Sequence, residues 1–242
     1  MTLAMELDYR LRWMDFDKFG RVQPFALFDM CQDVATVHAE EIGLSRDVVI
    51  SRGVFWAVVR QKLEIVREPR HFQKVSVRTW PHTLTRVSFL RDFFITDEEG
   101  GLLAKATSEW VLVDLETRKF ASVKDFFDFS EDELDGARAF ERKPRKLPSF
   151  EEGNRPVVQI VPSYSDLDLN GHVNNAKYAD FVVNALNPGE EGRMKSIQID
   201  YRQEVVPGVP VAMHTLVEDG VVRSKGVLED GTTAFASAIE LQ

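Results

Sequence analysis

Residues 15–22, Asp-Phe-Asp-Lys-Phe-Gly-Arg-Val, align without a gap on residues 166–173, Asp-Leu-Asp-Leu-Asn-Gly-His-Val. Two aspartates, a glycine and a valine keep their spacing, and an amphipathic stretch follows each copy. Self-similarity of this kind constrains the fold more than any single motif, because each copy must be one structural unit and the units must pack together. Further pairs fall in the same order. Leu63-Glu-Ile-Val-Arg-Glu68 matches Ile199-Asp-Tyr-Arg-Gln-Glu204, and the turn Glu99-Gly100 matches Asp230-Gly231 more loosely. A chain of 242 residues has room for two units of about 120 residues each.

Strand patterns dominate both halves. In the second, Ile197, Ile199 and Tyr201 alternate with Gln198, Asp200 and Arg202, which predicts a strand over 195–204. Strands over 211–217, 221–229 and 232–241 follow, separated by Asp-Gly turns. The first half repeats the series over 55–66, 74–80, 86–96 and 102–114. Two helices are predicted. One covers 23–42, opening on Pro24 and stopping at Gly43, with a stripe of Leu27, Met30, Val34 and Val37. The other covers 175–186, with Tyr178, Val182 and Ala185 on one face and a stop at Asn187-Pro188-Gly189.

One long helix and a run of antiparallel strands per half is an α+β pattern. A curved sheet wrapped round the helix to bury its apolar stripe is a hot-dog domain, whose sheet keeps one face packed and one largely free. The expected architecture is two fused hot-dog domains, a pseudo-dimer within one chain. The N-terminal unit covers 1–122, a charged linker 123–155 and the C-terminal unit 156–242. Asp125, Asp128, Glu131, Asp132, Glu133 and Asp135, then a basic stretch with Pro144 and Pro148, mark that linker as a connector rather than core.

Composition narrows the function. The formal net charge of -9 argues against broad nucleic-acid binding. No apolar run approaches the ~20 residues of a membrane span, and the acidic N-terminus does not read as a signal peptide. The single Cys31 permits no internal disulfide and no cysteine-based zinc site, so a soluble cytoplasmic protein is expected.

The second copy of the repeat carries the chemistry. Asp168, Asn170 and His172 fall at i, i+2 and i+4, which in an extended stretch places an acid, an amide donor and a titratable base on one side. They lie just before a helix N-terminus, where free N–H groups favour a developing oxyanion. That combination suits hydrolysis of an activated ester. Asn174 and Asn175 read as helix caps. The first copy keeps both aspartates, the glycine and the valine but has Phe19 for Asn170 and Arg21 for His172, so only the second copy reads as catalytic. Cys31 on an apolar helix reads as core, and His38, His71, His82 and His214 lack ligand spacing. Phe25, Phe28, Phe55, Trp56 and Phe89 are core residues or line a ligand tunnel; the two readings stay open.

The run Ser165-Asp-Leu-Asp168-x-Asn170-x-His172-Val-Asn-Asn-x-Lys-Tyr178 resembles the catalytic motif of plant and bacterial acyl-acyl-carrier-protein (acyl-ACP) thioesterases. Phe55-Trp56-Ala-Val-Val-Arg60 with Glu64-Ile65, and Lys74-Val-Ser-Val-Arg-Thr-Trp80, are similar to that family's N-terminal half. Asp200-Tyr-Arg-Gln-Glu204 resembles its segment bearing a further catalytic carboxylate. The resemblance implies a double hot-dog fold, no metal or other cofactor, and hydrolysis of fatty acyl-ACP to free fatty acid in fatty acid biosynthesis. By motif, Asp168, Asn170, His172 and Glu204 form the catalytic set, with an acyl carrier protein bearing the acyl group as partner. Many members have a cysteine after that glutamate; Val205 here excludes a thiol nucleophile at that place.

Attack by water is then the simplest course. Glu204 and His172 would orient and deprotonate it. Asn170 and a helix-terminal N–H would hold the thioester oxygen, and Asp168 would fix Asn170 or share in polarising the substrate. An acyl-CoA thioesterase and a non-catalytic acyl-binding protein of the same fold are the competing readings. The assembly reading allows a homodimer of the fused pair. Arg138, Arg142, Lys143, Arg145, Lys146 and Arg155 in the connector offer a basic dock for an acidic carrier.

Overall fold

The computed structural model describes residues 3–126, 134 and 137–242. Asp128, Glu131, Asp132, Glu133 and Asp135 of the connector lie outside the described residues. The first half contains β1 (Met5–Arg10), α1 (Pro24–Glu41), α2 (Arg46–Ser51), β2 (Val54–Ile65), β3 (Lys74–Leu84), β4 (Phe89–Asp97) and β5 (Leu102–Asp114). The second contains β6 (Val158–Ile160), α3 (Lys177–Leu186), β7 (Met194–Tyr201), β8 (Val211–Glu218), β9 (Val221–Val227) and β10 (Thr233–Leu241). Three elements, β1, α2 and β6, are absent from the sequence expectation. α3 begins two residues later than expected, after Asn174 Oδ1 accepts the Ala176 N–H at 2.8 Å.

All strands join one antiparallel ten-stranded sheet, ordered β1-β3-β4-β5-β2-β7-β10-β9-β8-β6. Read outward from its centre, the order is the same on both sides: β2, β5, β4, β3, β1 against β7, β10, β9, β8, β6. The seam obeys the repeat residue by residue. Gln61 pairs with Ile199 and Leu63 with Ile197, and the sequence alignment of Leu63 on Ile199 exchanges these two pairs. Two fused hot-dog units therefore share a single continuous sheet.

α1 and α3 lie against the same face and touch each other, α1 packing on β1 and β3 and α3 on β8. Leu27, Met30, Cys31 and Val34 of α1 meet Val75, Val77, Phe93 and Ile95, while Tyr178 and Val182 of α3 meet Met213, Phe235 and Ile199 in the same core. Burying such side chains stabilises each by about 1.5–3 kcal/mol, so this shared core is the main reason the units stay joined. Gly226 has a specific part. A Cβ there would stand 2.3 Å from the Phe235 ring, so only glycine lets that ring lie flat on β9. Phe235 then meets Tyr178 edge-on at 4.9 Å and carries the order of the sheet to the helix before the motif loop.

The other face of the sheet is not free, contrary to the expectation for a solvated sheet face. The described part of the connector crosses it as a strap. Trp80 Nε1 donates to Ala137 O at 3.0 Å, and Asp92 Oδ2 accepts from the Ala139 N–H at 2.7 Å. At the seam, Arg60 of β2 places Nε 2.7 Å from Asp200 Oδ1 of β7, while its Nη1 reaches Glu109 at 3.1 Å and Pro144 O at 3.2 Å. Asp200 also accepts from the Leu147 N–H at 2.8 Å and from Gln198 Nε2 at 2.9 Å. The alternation that marks β7 as one-faced is thus a polar face buried under the strap, with Asp200 only 2% exposed. Asp200→Ala should leave the Arg60 guanidinium with Glu109 alone and the Leu147 N–H without its acceptor, and cost about 1–3 kcal/mol. Urea unfolding would register the loss as a lower midpoint; a shift worth less than about 1 kcal/mol would show that this network does not hold the seam.

Candidate active site

The two motif copies fold alike to the level of single hydrogen bonds. Asp17 N–H donates to Arg21 O at 2.8 Å and Asp168 N–H to His172 O at 2.9 Å. Gly20 N–H reaches Asp17 O and Gly171 N–H reaches Asp168 O, both at 3.0 Å, with φ of +77° and +74° at the two glycines. Side-chain roles repeat too: Asp17 Oδ1 accepts from the Phe19 N–H and Asp168 Oδ1 from the Asn170 N–H, each at 2.8 Å. Phe16–Val22 and Leu167–Val173 close each loop by an isolated antiparallel bridge.

The loop is therefore a tight turn, and the extended geometry expected for residues 168–172 is not found. A turn is favoured because aspartate bonds its own backbone two residues on, and glycine takes the left-handed position at no steric cost. On this turn the side chains form two pairs. Asn170 Nδ2 stands 3.4 Å from Asp168 Oδ2, and His172 Nε2 stands 3.0 Å from Glu204 Oε1, which arrives from the segment after β7. The His172 and Glu204 side chains remain 46% and 41% exposed, so a substrate and a water can reach them.

Neighbouring tyrosines hold this cluster. Burial pushes the Tyr178 hydroxyl up to about 12; its bond with the Val205 backbone opposes that rise, and the nearby Glu204 and Asp168 carboxylates add to it. It stays neutral beside the residue after Glu204. The Tyr201 hydroxyl lies 2.8 Å from Asn175 O and 2.7 Å from Gln61 Oε1, joining the end of the motif loop to both central strands.

Models of the acyl-ACP thioesterase N-terminal domain and of the acyl-ACP thioesterase C-terminal domain match residues 3–129 and 151–235. The chain belongs to the acyl-ACP thioesterase family. It is 30% identical over 186 residues to the Cuphea viscosissima chloroplastic acyl-[acyl-carrier-protein] hydrolase FATB2, covering 72% of this chain and 45% of that protein. It is 27% identical over 222 residues to the Arabidopsis thaliana chloroplastic oleoyl-acyl carrier protein thioesterase 1, covering 84% of this chain and 61% of that one. The chain thus spans about half the length of the curated relatives it matches. Its fold is that of the 12:0-ACP thioesterase from Umbellularia californica, with TM-score 0.89, 21% identity and coverage of 100% and 98% of the two chains. The acyl-ACP thioesterase from Bacteroides thetaiotaomicron gives TM-score 0.85, 22% identity and coverage of 99% and 98%.

In the first motif copy the residues that stand where His172 and Glu204 do in the second are tied into the fold. Arg21, in the place of His172, puts Nε 2.8 Å from Asp17 Oδ2 and Nη1 3.0 Å from Gly189 O. Glu68, in the place of Glu204, accepts the Val22 N–H at 2.5 Å, and burial raises its pKa. Among the described residues no imidazole pairs with that carboxylate. Cys31 lies wholly in the core, where burial pushes its thiol up. His38 is buried with Nδ1 2.8 Å from the Arg91 guanidinium, and burial, then the Arg91 charge, lowers its pKa to about 4. Both stand apart from the second motif loop in the bonds they make. Among the described residues, no cluster of three or more His, Cys, Asp or Glu side chains is placed to hold a metal ion. Among them, too, no helix is long and apolar enough to cross a membrane.

Sequence reasoning missed two contributors. Gln61 reads as an ordinary inward strand residue, and its contact with Tyr201 depends on the seam register. Arg46 Nε donates to Asn170 Oδ1 at 2.5 Å from the other half of the molecule. No local pattern signals a contact between residues so distant in sequence.

Proposed function

We propose that this chain hydrolyses the thioester of fatty acyl-ACP to a free fatty acid and the carrier thiol, in fatty acid biosynthesis. The observation that carries the reading is the 3.0 Å contact between His172 Nε2 and Glu204 Oε1, made in the second copy of a repeat whose first copy has Arg21 at the place of the imidazole. Glu204 accepts the Nε2 proton, which leaves Nδ1 as the base that takes a proton from water. The hydroxide so formed attacks the thioester carbon. The oxyanion is held by the second Nδ2 hydrogen of Asn170, whose backbone turn and side chain Asp168 fixes. Collapse breaks the carbon–sulfur bond, and the imidazolium returns its proton to the departing thiolate. Val205, fully buried, leaves no thiol beside Glu204 to intercept the acyl group. The N-terminal unit, with Phe25, Phe28, Phe55, Trp56 and Phe89 on or near its core, is assigned the acyl chain. A cytoplasmic setting, resting on the single buried cysteine, belongs to the same proposal.

The names of the relatives favour a carrier protein over coenzyme A, and the strap gives that preference a physical basis. Arg142, Arg145 and Lys146 are exposed and make no ion pair among the described residues, whereas Lys143 is already paired with Glu109. Arg202, two residues before Glu204, and Arg223 border the strap at Leu147–Phe150. An acidic carrier would be steered to this face despite the overall negative charge, because steering depends on the local patch. Purified protein should turn over acyl-ACP with a lower Michaelis constant than the matching acyl-CoA. Reversing Arg142, Arg145 and Lys146 to glutamate should raise the acyl-ACP constant roughly 10-fold at low salt, leave a small acyl-pantetheine unaffected, and have less effect as salt screens the patch. Equal constants for the two carriers, unmoved by charge reversal, would sink the carrier assignment.

A further inference from the structure

The repeat exposes an asymmetry between the halves. In the second half β7 follows α3 through a short loop, and that loop seats on the first motif copy through Gly189 O and Arg21. In the first half α1 is followed by an extra helix, α2, before β2 begins, and α2 seats on the second motif copy. Each half thus closes over the other's motif loop, the second half through a backbone carbonyl and the first half through the side chain of an arginine.

That side chain is Arg46. α2 is anchored by its own small core, in which Val49 packs with Val54 and Leu112. Ser45 caps it by accepting the Val48 N–H. Arg46 is the first residue of the helix, where a positive charge opposes the free N–H groups, so the helix itself gives no reason for an arginine there. Its Nη1 meets Asp47 at 3.1 Å, and its Nε meets Asn170 Oδ1 at 2.5 Å. A guanidinium only donates, so the Asn170 atom facing it must be the carbonyl oxygen. This contact selects one of the two flip states of the amide and leaves the Nδ2 hydrogens for Asp168 and for a ligand.

We infer that Arg46 is a positioning residue contributed by the first half, which fixes the Asn170 amide with its N–H toward the thioester oxygen. The inference rests on the proposed role of Asn170 as oxyanion donor. Arg46 touches no reacting atom itself; it acts by keeping the donor from rotating, since small misplacements of a catalytic group are costly. The assignment makes the two halves interdependent in catalysis as well as in packing.

The test is a double-mutant cycle on Arg46 and Asn170, read as kcat and KM with an acyl-pantetheine substrate. Arg46→Ala should lower kcat roughly 10-fold, leave KM within about 2-fold and leave the melting temperature unchanged. In an Asn170→Ala background, adding Arg46→Ala should change kcat by less than about 2-fold, because the group it positions is gone. An unchanged kcat in Arg46→Ala beside a crippled Asn170→Ala would overturn this inference alone. So would a raised KM at constant kcat, the mark of a substrate-docking cation, or an undiminished effect of Arg46→Ala in the Asn170→Ala background. Full activity in Asn170→Ala would refute the oxyanion reading and this inference with it.

Discussion

His172→Ala should lower kcat by roughly 10²–10⁴-fold with little change in KM, and Glu204→Ala should do nearly the same. In the proposed mechanism the imidazole would supply the base, while the carboxylate 3.0 Å from Nε2 would fix its tautomer and stabilise the imidazolium formed as water attacks. Acting as one unit, the two should be strongly non-additive, so the double variant should be scarcely slower than the worse single one. The pair is solvent-exposed, and neither side chain is part of the core, so both variants should melt as the wild type does. Cys31→Ser is the control. Its thiol is buried and belongs to no site, and turnover should stay within a few-fold. Loss of activity in Cys31→Ser with His172→Ala unaffected would reverse the assignment.

Asn170→Ala should cost on the order of 10²–10³-fold in kcat, the range found when one donor to a developing oxyanion is removed. The backbone of the turn should survive, because Asp168 Oδ1 bonds the residue 170 N–H and not its side chain. Asn170→Asp is the sharper probe. It keeps the size and the contact with Arg46 but replaces the donor with an acceptor facing the oxyanion. It should therefore be at least as slow as the alanine variant. Activity near wild type in Asn170→Asp would remove the amide from the mechanism.

The sequence carried the larger features because their causes are local. Strand alternation, Pro24 and Gly43 at the ends of α1, and the Asp-Gly turns each act within a few residues, and the repeat exposed the pairing of the halves. What it did not carry depends on distant partners. The Gln198 and Asp200 face of β7 looks like a solvated strand face until the strap and Arg60 are seen to cover it. The short edge strands β1 and β6 exist through pairing with β3 and β8 rather than through their own propensity. In the motif, spacing singles out Asp168, Asn170 and His172, but the backbone that carries them is a turn set by Asp168 and Gly171. The matching turn around Asp17 and Gly20 shows why that aspartate is present in both copies: it builds the loop whether or not a base follows. Arg46 had no local signature at all, since its partner lies across the molecule.

In the proposed reaction the second motif copy hydrolyses an acyl-ACP thioester by direct attack of water. The most direct measurement is a single turnover of acyl-ACP with excess enzyme, quenched rapidly, quantifying fatty acid, carrier thiol and the intact mass of the enzyme. Fatty acid and carrier thiol should appear at one common rate while the enzyme mass stays constant. Absence of fatty acid above the uncatalysed control, or a burst of carrier thiol ahead of fatty acid with one acyl group added to the enzyme, would contradict that reaction.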